Sequence, residues 1–212
     1  EGAVIVTFVS SKGGAGKSTS LVNVAAELRR RGRDVHLIDT DAQGSLVAWV
    51  GWSPDAWPLR VLDAEGLRHV RQYDAPGRAV LVDVPGKRDI ELAVALEVAG
   101  MVVVATQPSP VDFAALGNTL APLREVMVRR PELRAAVLIC RAKVAADEAD
   151  ARAALEADGW RVLPGGLRDR ICYQRAFGQG VGVCDYSPRR DAAAAIIEVE
   201  AVVDALLAGA GA

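Results

Sequence analysis

Ser10-Ser11-Lys12-Gly13-Gly14-Ala15-Gly16-Lys17-Ser18-Thr19 stands between a short apolar run, Ala3 to Val9, and an amphipathic run that starts near Ser18. The order is strand, glycine-rich loop, helix, the setting in which a phosphate-binding loop forms. A polyphosphate needs many donors close together and a backbone that can approach it. The glycines at 13, 14 and 16 keep Cβ atoms out of that approach, so that successive N–H groups can point into one concavity. The N-terminus of the following helix adds its dipole. In such a loop Lys17 reaches the β- and γ-phosphates and the Ser18 hydroxyl ligates Mg²⁺. Ala15 and Thr19 complete the expected nucleotide contacts. A tight strand-to-helix turn with incidental glycines is the plainer alternative, and the flanking elements weigh against it.

The chain has 212 residues, long enough for one well-buried domain and short for two, so 1–212 is expected to be a single domain. Apolar residues make up 51% and charged residues 25%, with a formal net charge of −2. That balance predicts a soluble globular protein and argues against a globally basic nucleic-acid binder, while leaving room for a local patch. Cys140, Cys172 and Cys184 are far apart and form no CxxC or Cys/His cluster. Reduced thiols in a cytosolic protein, with no structural zinc, are expected. Ala3 to Val9 is too short for a signal peptide, and no apolar run approaches the length of a membrane span.

Asp34 to Ile38 reads as a second strand, closing on Asp39-Thr40-Asp41-Ala42-Gln43-Gly44-Ser45. Ala79 to Val84 reads as a third, closing on Asp83-Val84-Pro85-Gly86. Met101 to Thr106, Leu133 to Cys140 and a short segment from Arg161 to Leu163 follow. Helical patterns are expected after the glycine loop, over about 64–73, up to Val98, up to Arg130, over 147–157 and over 188–208. Apolar strands alternating with helices give an α/β fold, a doubly wound and mainly parallel sheet flanked by helices. Carboxylates at the C-terminal ends of such strands sit where these folds bind ligands. Asp39, Asp41 and Asp83 therefore join the loop as candidates, although an Asp pair capping a helix is compatible with the first two. An apolar strand ending in Asp is the pattern that holds a Mg²⁺ shell, usually through water, which puts Asp83 on the metal side. Arg29-Arg30-Arg31-Gly32 reads as a helix stop with a solvated basic face. Trp49, Trp52 and Trp57 read as a satellite cluster under a loop rather than an interaction surface. The last helix should bury Ile196, Val199, Val203 and Leu206 and leave Glu198, Glu200 and Asp204 outside.

The loop departs from the ordinary G-x-x-x-x-G-K-[ST] pattern, because Ser11 stands at the first glycine and a second lysine, Lys12, opens K-G-G-x-G-K-S. With this lysine the chain resembles the deviant Walker A ATPases, the family of ParA-type partition ATPases, MinD and the nitrogenase iron protein. The Gln107-Pro108-Ser109-Pro110-Val111-Asp112 turn is similar to that of the short plasmid-partition branch. Asp39 to Gly44 resembles the family's second nucleotide motif, with Ala42 in place of Pro. The resemblance implies a P-loop ATPase domain of MinD-like fold that binds ATP and Mg²⁺. It implies that Lys12 acts across an ATP-sandwich homodimer, on the nucleotide of the partner. Asp41 then positions or activates the attacking water beside Lys17, while Ser18, Asp39 and Asp83 lie toward the metal. Asp112 would lie near the dimer face, with a helix N-terminal acid as the alternative. Arg141 and Pro164 would border the base. The chain departs from the family at Val84, usually Thr, and at Cys140-Arg141, where an adenine-reading Asn is frequent.

Between Arg161 and Arg190 the arginines 161, 168, 170, 175, 189 and 190 face only Asp169 and Asp185. In the resembled family, basic residues of the C-terminal third bind DNA without sequence preference. On that ground Arg168, Arg170, Arg175, Arg189 and Arg190 are expected to meet nonspecific DNA; a solvated, partly salt-bridged surface is the alternative. The implied function is a slow ATPase switch, cytoplasmic and nucleoid-associated, that segregates plasmid or chromosomal DNA or positions another cargo. A ParB-like or other activating partner protein would stimulate it. A MinD-like membrane-associated positioning ATPase is one rival, and the acidic outer face of the last helix argues against a membrane partner. A metabolic ligase on the same scaffold is the other.

Overall fold

The computed structural model describes residues 4–41, 43–85 and 90–210. Ala42, Gly86 and the Lys87-Arg88 pair lie outside the described residues. In chain order the elements are β1 (Val4–Ser10), α1 (Lys17–Arg30), β2 (Asp34–Asp39), α2 (Ser45–Trp52), β3 (Leu59–Val61) and α3 (Ala64–Arg68). A 3₁₀ turn (Val70–Tyr73) leads to β4 (Arg78–Asp83), α4 (Ile90–Val98), β5 (Met101–Thr106), α5 (Pro110–Arg129) and β6 (Arg134–Ile139). Then come α6 (Ala145–Ala157), α7 (Ile171–Gly178) and α8 (Arg189–Ala210).

The six strands form one sheet in the order β3-β2-β4-β1-β5-β6, and every ladder is parallel. Side chains alternate across it with the period of a strand. Val6 and Phe8 of β1, Leu81 of β4 and Val103 of β5 enter a core on one face with Leu21, Val22, Val24, Ala25 and Leu28 of α1 and the stripe of α8. Ile5 and Val9, Val80 and Val82, and Val102 and Val104 enter a second core with residues of α4, α5 and α6. Burial on both faces is why these strands read as continuous apolar runs. β1 lies in the middle. The chain first builds outward on the β4 side and then crosses to β5, so the loop after β1 opens at the point where the strand order reverses.

Several local expectations need correction. The short strand expected at Arg161 to Leu163 is one bridge, Val162 to Val137, followed by a second from Leu167 to Cys140. The helix expected over 64–73 stops at Arg68 and continues as the 3₁₀ turn. The Arg29 to Arg31 triplet is exposed at the helix end as expected, but it is also salt-bridged. Arg30 and Arg31 both donate to Glu27, which is fully buried, and reach Glu200 and Asp204 of α8. Burial acts to raise the Glu27 pKa, and the two guanidiniums outweigh it and hold the carboxyl below 4.5. Glu198, expected outside, is covered by Arg170 and Tyr173. Trp49 is fully buried in the main core, tilted against Trp57 at 5.1 Å; Trp52 is the exposed member, edge-on to Phe177.

Candidate functional site

A cavity of about 1080 Å³ lies over the loop after β1. Gly13, Gly14, Gly16, Lys17, Ser18 and Thr19 line it, while Ala15 is buried with 2% exposure and does not. Gly14 and Gly16 hold φ of 80° and 96°, in the region that favours glycine. A Cβ on Gly16 would also sit 2.9 Å from that of Cys140, so the loop lies flush on the end of β6. Gly16 caps α1 without a side-chain hydrogen bond. The free N–H groups and dipole of the first turn of α1 are thus left for an anion.

Behind the loop, the Lys17 ammonium pairs with Asp83 and lies 3.5 Å from Asp41, and the Ser18 hydroxyl donates to Asp83 at 2.6 Å. Asp83 is fully buried at the end of β4. Burial lifts its carboxyl above the ordinary 3.8, opposed by Lys17 and Ser18. Asp41 lines the cavity, and its backbone N–H is fixed by Asp39 at 2.9 Å. The other Asp39 oxygen accepts the Val47 N–H at 3.2 Å, and burial raises this carboxyl too. Asp39 is fully buried and its oxygens hold two backbone N–H groups, which organises the turn that carries Asp41. The remaining pair, a serine hydroxyl backed by a buried carboxylate, fits a hard cation that draws the rest of its shell from phosphate and water. Val84 packs in the second core, so its missing hydroxyl leaves no gap in the lining; the Thr40 hydroxyl bonds the Asp83 carbonyl beside it.

Lys12 sits at the rim with half its side chain exposed, and its ammonium is 3.8 Å from Asp112. Asp112 itself is buried in the first turn of α5, where its N–H bonds the capping Ser109 hydroxyl and its carboxylate accepts from that hydroxyl. Arg141 lines the cavity. Pro164 does not. It is exposed, and the adjoining Gly165 faces α8 near Ala201. The wall is formed instead by Leu167 to Arg170 and by Tyr173, Gln174 and Phe177 of α7. Sequence reasoning missed that wall because it treated the segment only as a run of charge. The apolar spacing of Cys172, Tyr173 and Ala176 was the available signal for a packed helix.

The arginine run divides in two. Arg168 pairs with Glu148 at 3.2 Å, and Arg170 donates twice to Glu198, at 2.9 and 2.6 Å. Arg161 bonds the Ala205 carbonyl. The acids that balance them come from α6 and α8, distant in sequence, so counting charges locally overstated the surplus. Arg175 and Arg189 are exposed with no ion pair among the described residues, and Arg190 is 88% exposed beside Asp191.

A family profile described as CobQ/CobB/MinD/ParA nucleotide binding domain matches residues 6–183. The chain belongs to this family, on its ParA side. It is 29% identical over 199 residues to "Maintenance of carboxysome distribution protein A" of Halothiobacillus neapolitanus, covering 91% of this chain and 92% of that one. It is 27% identical over 202 residues to "Protein ParA" of Rhizobium radiobacter, covering 92% and 91%. Among solved structures, McdA of Cyanothece superposes with a TM-score of 0.75 at 17% identity, over 99% of this chain and 100% of that one. MinD of Aquifex aeolicus, in complex with MinC, also gives 0.75, at 15% identity over 97% and 96%. This ParA-type chain is thus a nucleotide-binding ATPase with the doubly wound fold expected of it.

Proposed function

We propose that this ParA-type ATPase is a dimerising switch, a single ATPase domain over 1–212, that binds nonspecific DNA in its ATP state and thereby distributes a cargo. The observation that carries the reading is Lys12. It stands at the mouth of the cavity, half exposed, and its ammonium lies by Asp112 rather than with Lys17 among the carboxylates. A lysine so placed is available to a nucleotide held by a second copy.

In this reading Lys17 and the N–H groups of the loop bind the phosphates, and Ser18 and Asp83 hold Mg²⁺. Held there, the cation would supply positive charge against the charge that develops on the phosphates. Asp41 accepts a hydrogen bond from the attacking water and orients it. Lys12 adds positive charge to the transferring phosphoryl group from the partner subunit, the part an arginine finger plays in other enzymes. Of the arginines expected to meet DNA, Arg175, Arg189 and Arg190 are the exposed ones not held by a carboxylate of another element.

The names of the relatives favour a cargo-distributing role, with a plasmid, a chromosome or a large protein assembly as the cargo and a ParB-like or other partner as activator. A MinD-like membrane role has less support. No described helix is long and apolar enough to cross a membrane, and the stripe of α8 is buried while Glu200 and Asp204 are paired. A ligase role would want a clamp for a carboxylate substrate, and the cavity arginines 168 and 170 are already held by Glu148 and Glu198. The test is DNA binding measured without nucleotide, with ADP, with ATP and with a slowly hydrolysed analogue. Binding confined to the last two, and falling steeply with salt, is expected. Equal binding in all four conditions, or none, contradicts the switch.

A further inference from the structure

Two side chains outside the phosphate chemistry converge on one backbone atom of the loop. Gln107 Nε2 donates to the Gly14 carbonyl oxygen at 2.9 Å, and Arg141 Nη1 donates to the same oxygen at 3.2 Å. They arrive from the ends of two strands, Gln107 following β5 and Arg141 following β6.

Arg141 holds φ of 56° and is the only non-glycine with positive φ among the described residues. A long side chain does not adopt this conformation without support from its surroundings. The support is visible. The Arg141 N–H bonds the Leu167 carbonyl at 2.6 Å, and its Nε lies 3.5 Å from the Asp169 carboxylate. Asp169 is fixed in turn by its own N–H, which bonds the Ala142 carbonyl at 3.1 Å. The strained turn lays the guanidinium across the loop.

Gly14 has φ of 80°, and a glycine beside a small residue offers little resistance to rotation of the peptide plane. In a trans peptide the Gly14 carbonyl and the Ala15 N–H point in opposite directions, so holding one holds the other. We propose that Gln107 and Arg141 are positioning residues for the phosphate loop: together they pin the Gly14–Ala15 peptide and keep the Gly14 carbonyl oxygen engaged, so that it does not turn against a bound phosphate. The inference rests on reading the cavity as a polyphosphate site, and it gives Arg141 a task that does not involve the base.

The probes are ATP and inorganic tripolyphosphate, which has no base, titrated calorimetrically into the wild type, Arg141→Gly, Arg141→Lys and Gln107→Glu. Arg141→Gly removes the guanidinium while suiting the left-handed backbone, so it should fold at least as well as the wild type. Gln107→Glu leaves Arg141 alone and sets an oxyanion against the Gly14 carbonyl. Each of these two should weaken both ligands by about five- to tenfold, the worth of one or two partly exposed hydrogen bonds. Arg141→Lys, whose ammonium can still reach the carbonyl, should recover part of the loss. A loss confined to ATP would make Arg141 a base contact and overturn the proposal, as would unchanged affinity for both ligands. A wild type that binds neither would instead refute the polyphosphate site, and the proposal with it.

Discussion

Lys12 Nζ and Asp112 Oδ2 lie 3.8 Å apart, joining the start of the phosphate loop to the first turn of α5. One partner is half exposed and the other nearly buried. Such a pair is worth about 0–1 kcal/mol, weak enough for Lys12 to exchange Asp112 for a phosphate. Asp112→Asn should therefore cost less than about 1 kcal/mol of stability and leave ATP-dependent dimerisation intact or stronger in light scattering. Loss of dimers in a folded Asp112→Asn protein would make Asp112 an interface contact in its own right.

Lys17 is the counter-charge of the buried Asp83. Lys17→Ala should abolish ATP binding and destabilise the fold by about 3–5 kcal/mol near neutral pH. The pH dependence has a definite sign. Burial already raises Asp83, and loss of Lys17 raises it further, so the native state of the variant favours the protonated acid. The deficit relative to the wild type is smallest below the ordinary carboxyl value of 3.8 and grows as pH rises through the raised native value. Thermal melts across acid and neutral pH check this; a deficit independent of pH would contradict it.

Asp41 faces the cavity and Asp39 does not, so the two carboxylates should separate in kinetics. Asp41→Ala should bind ATP and lose hydrolysis by about 10²–10⁴-fold. Retained steady-state phosphate release would remove Asp41 from the mechanism.

The sheet and the phosphate loop were legible in the sequence because local physics dictates them. Strands buried on both faces are continuous apolar runs, and Gly14 and Gly16 sit where the chain needs positive φ. What could not be read depends on partners remote in sequence. Arg168 and Arg170 looked free because Glu148 and Glu198 lie on other elements. The pairing of the exposed Arg30 and Arg31 to α8 was hidden because Glu200 and Asp204 are about 170 residues further along the chain. The motif at Asp39 does not reveal that its oxygens also hold the N–H groups of Asp41 and Val47. Pro164, placed near the base by resemblance alone, is exposed and does not line the cavity.

Arg189 and Arg190 lie at the N-terminus of α8, where cations oppose the helix dipole and fold stability does not call for them. Replacing both by Glu should leave ATP affinity unchanged and weaken DNA binding at low salt by about tenfold or more, with a shallower salt slope. An unchanged gel shift would move the DNA surface elsewhere.

The switch depends on Lys12 acting in trans, and the ATP-dependent mass of Lys12→Ala tests that action. Static light scattering with saturating ATP and Mg²⁺, beside calorimetric nucleotide binding, separates association from occupancy. The variant is expected to bind nucleotide measurably and to remain at monomer mass while the wild type doubles. A Lys12→Ala protein that doubles in mass as the wild type does would contradict the trans action.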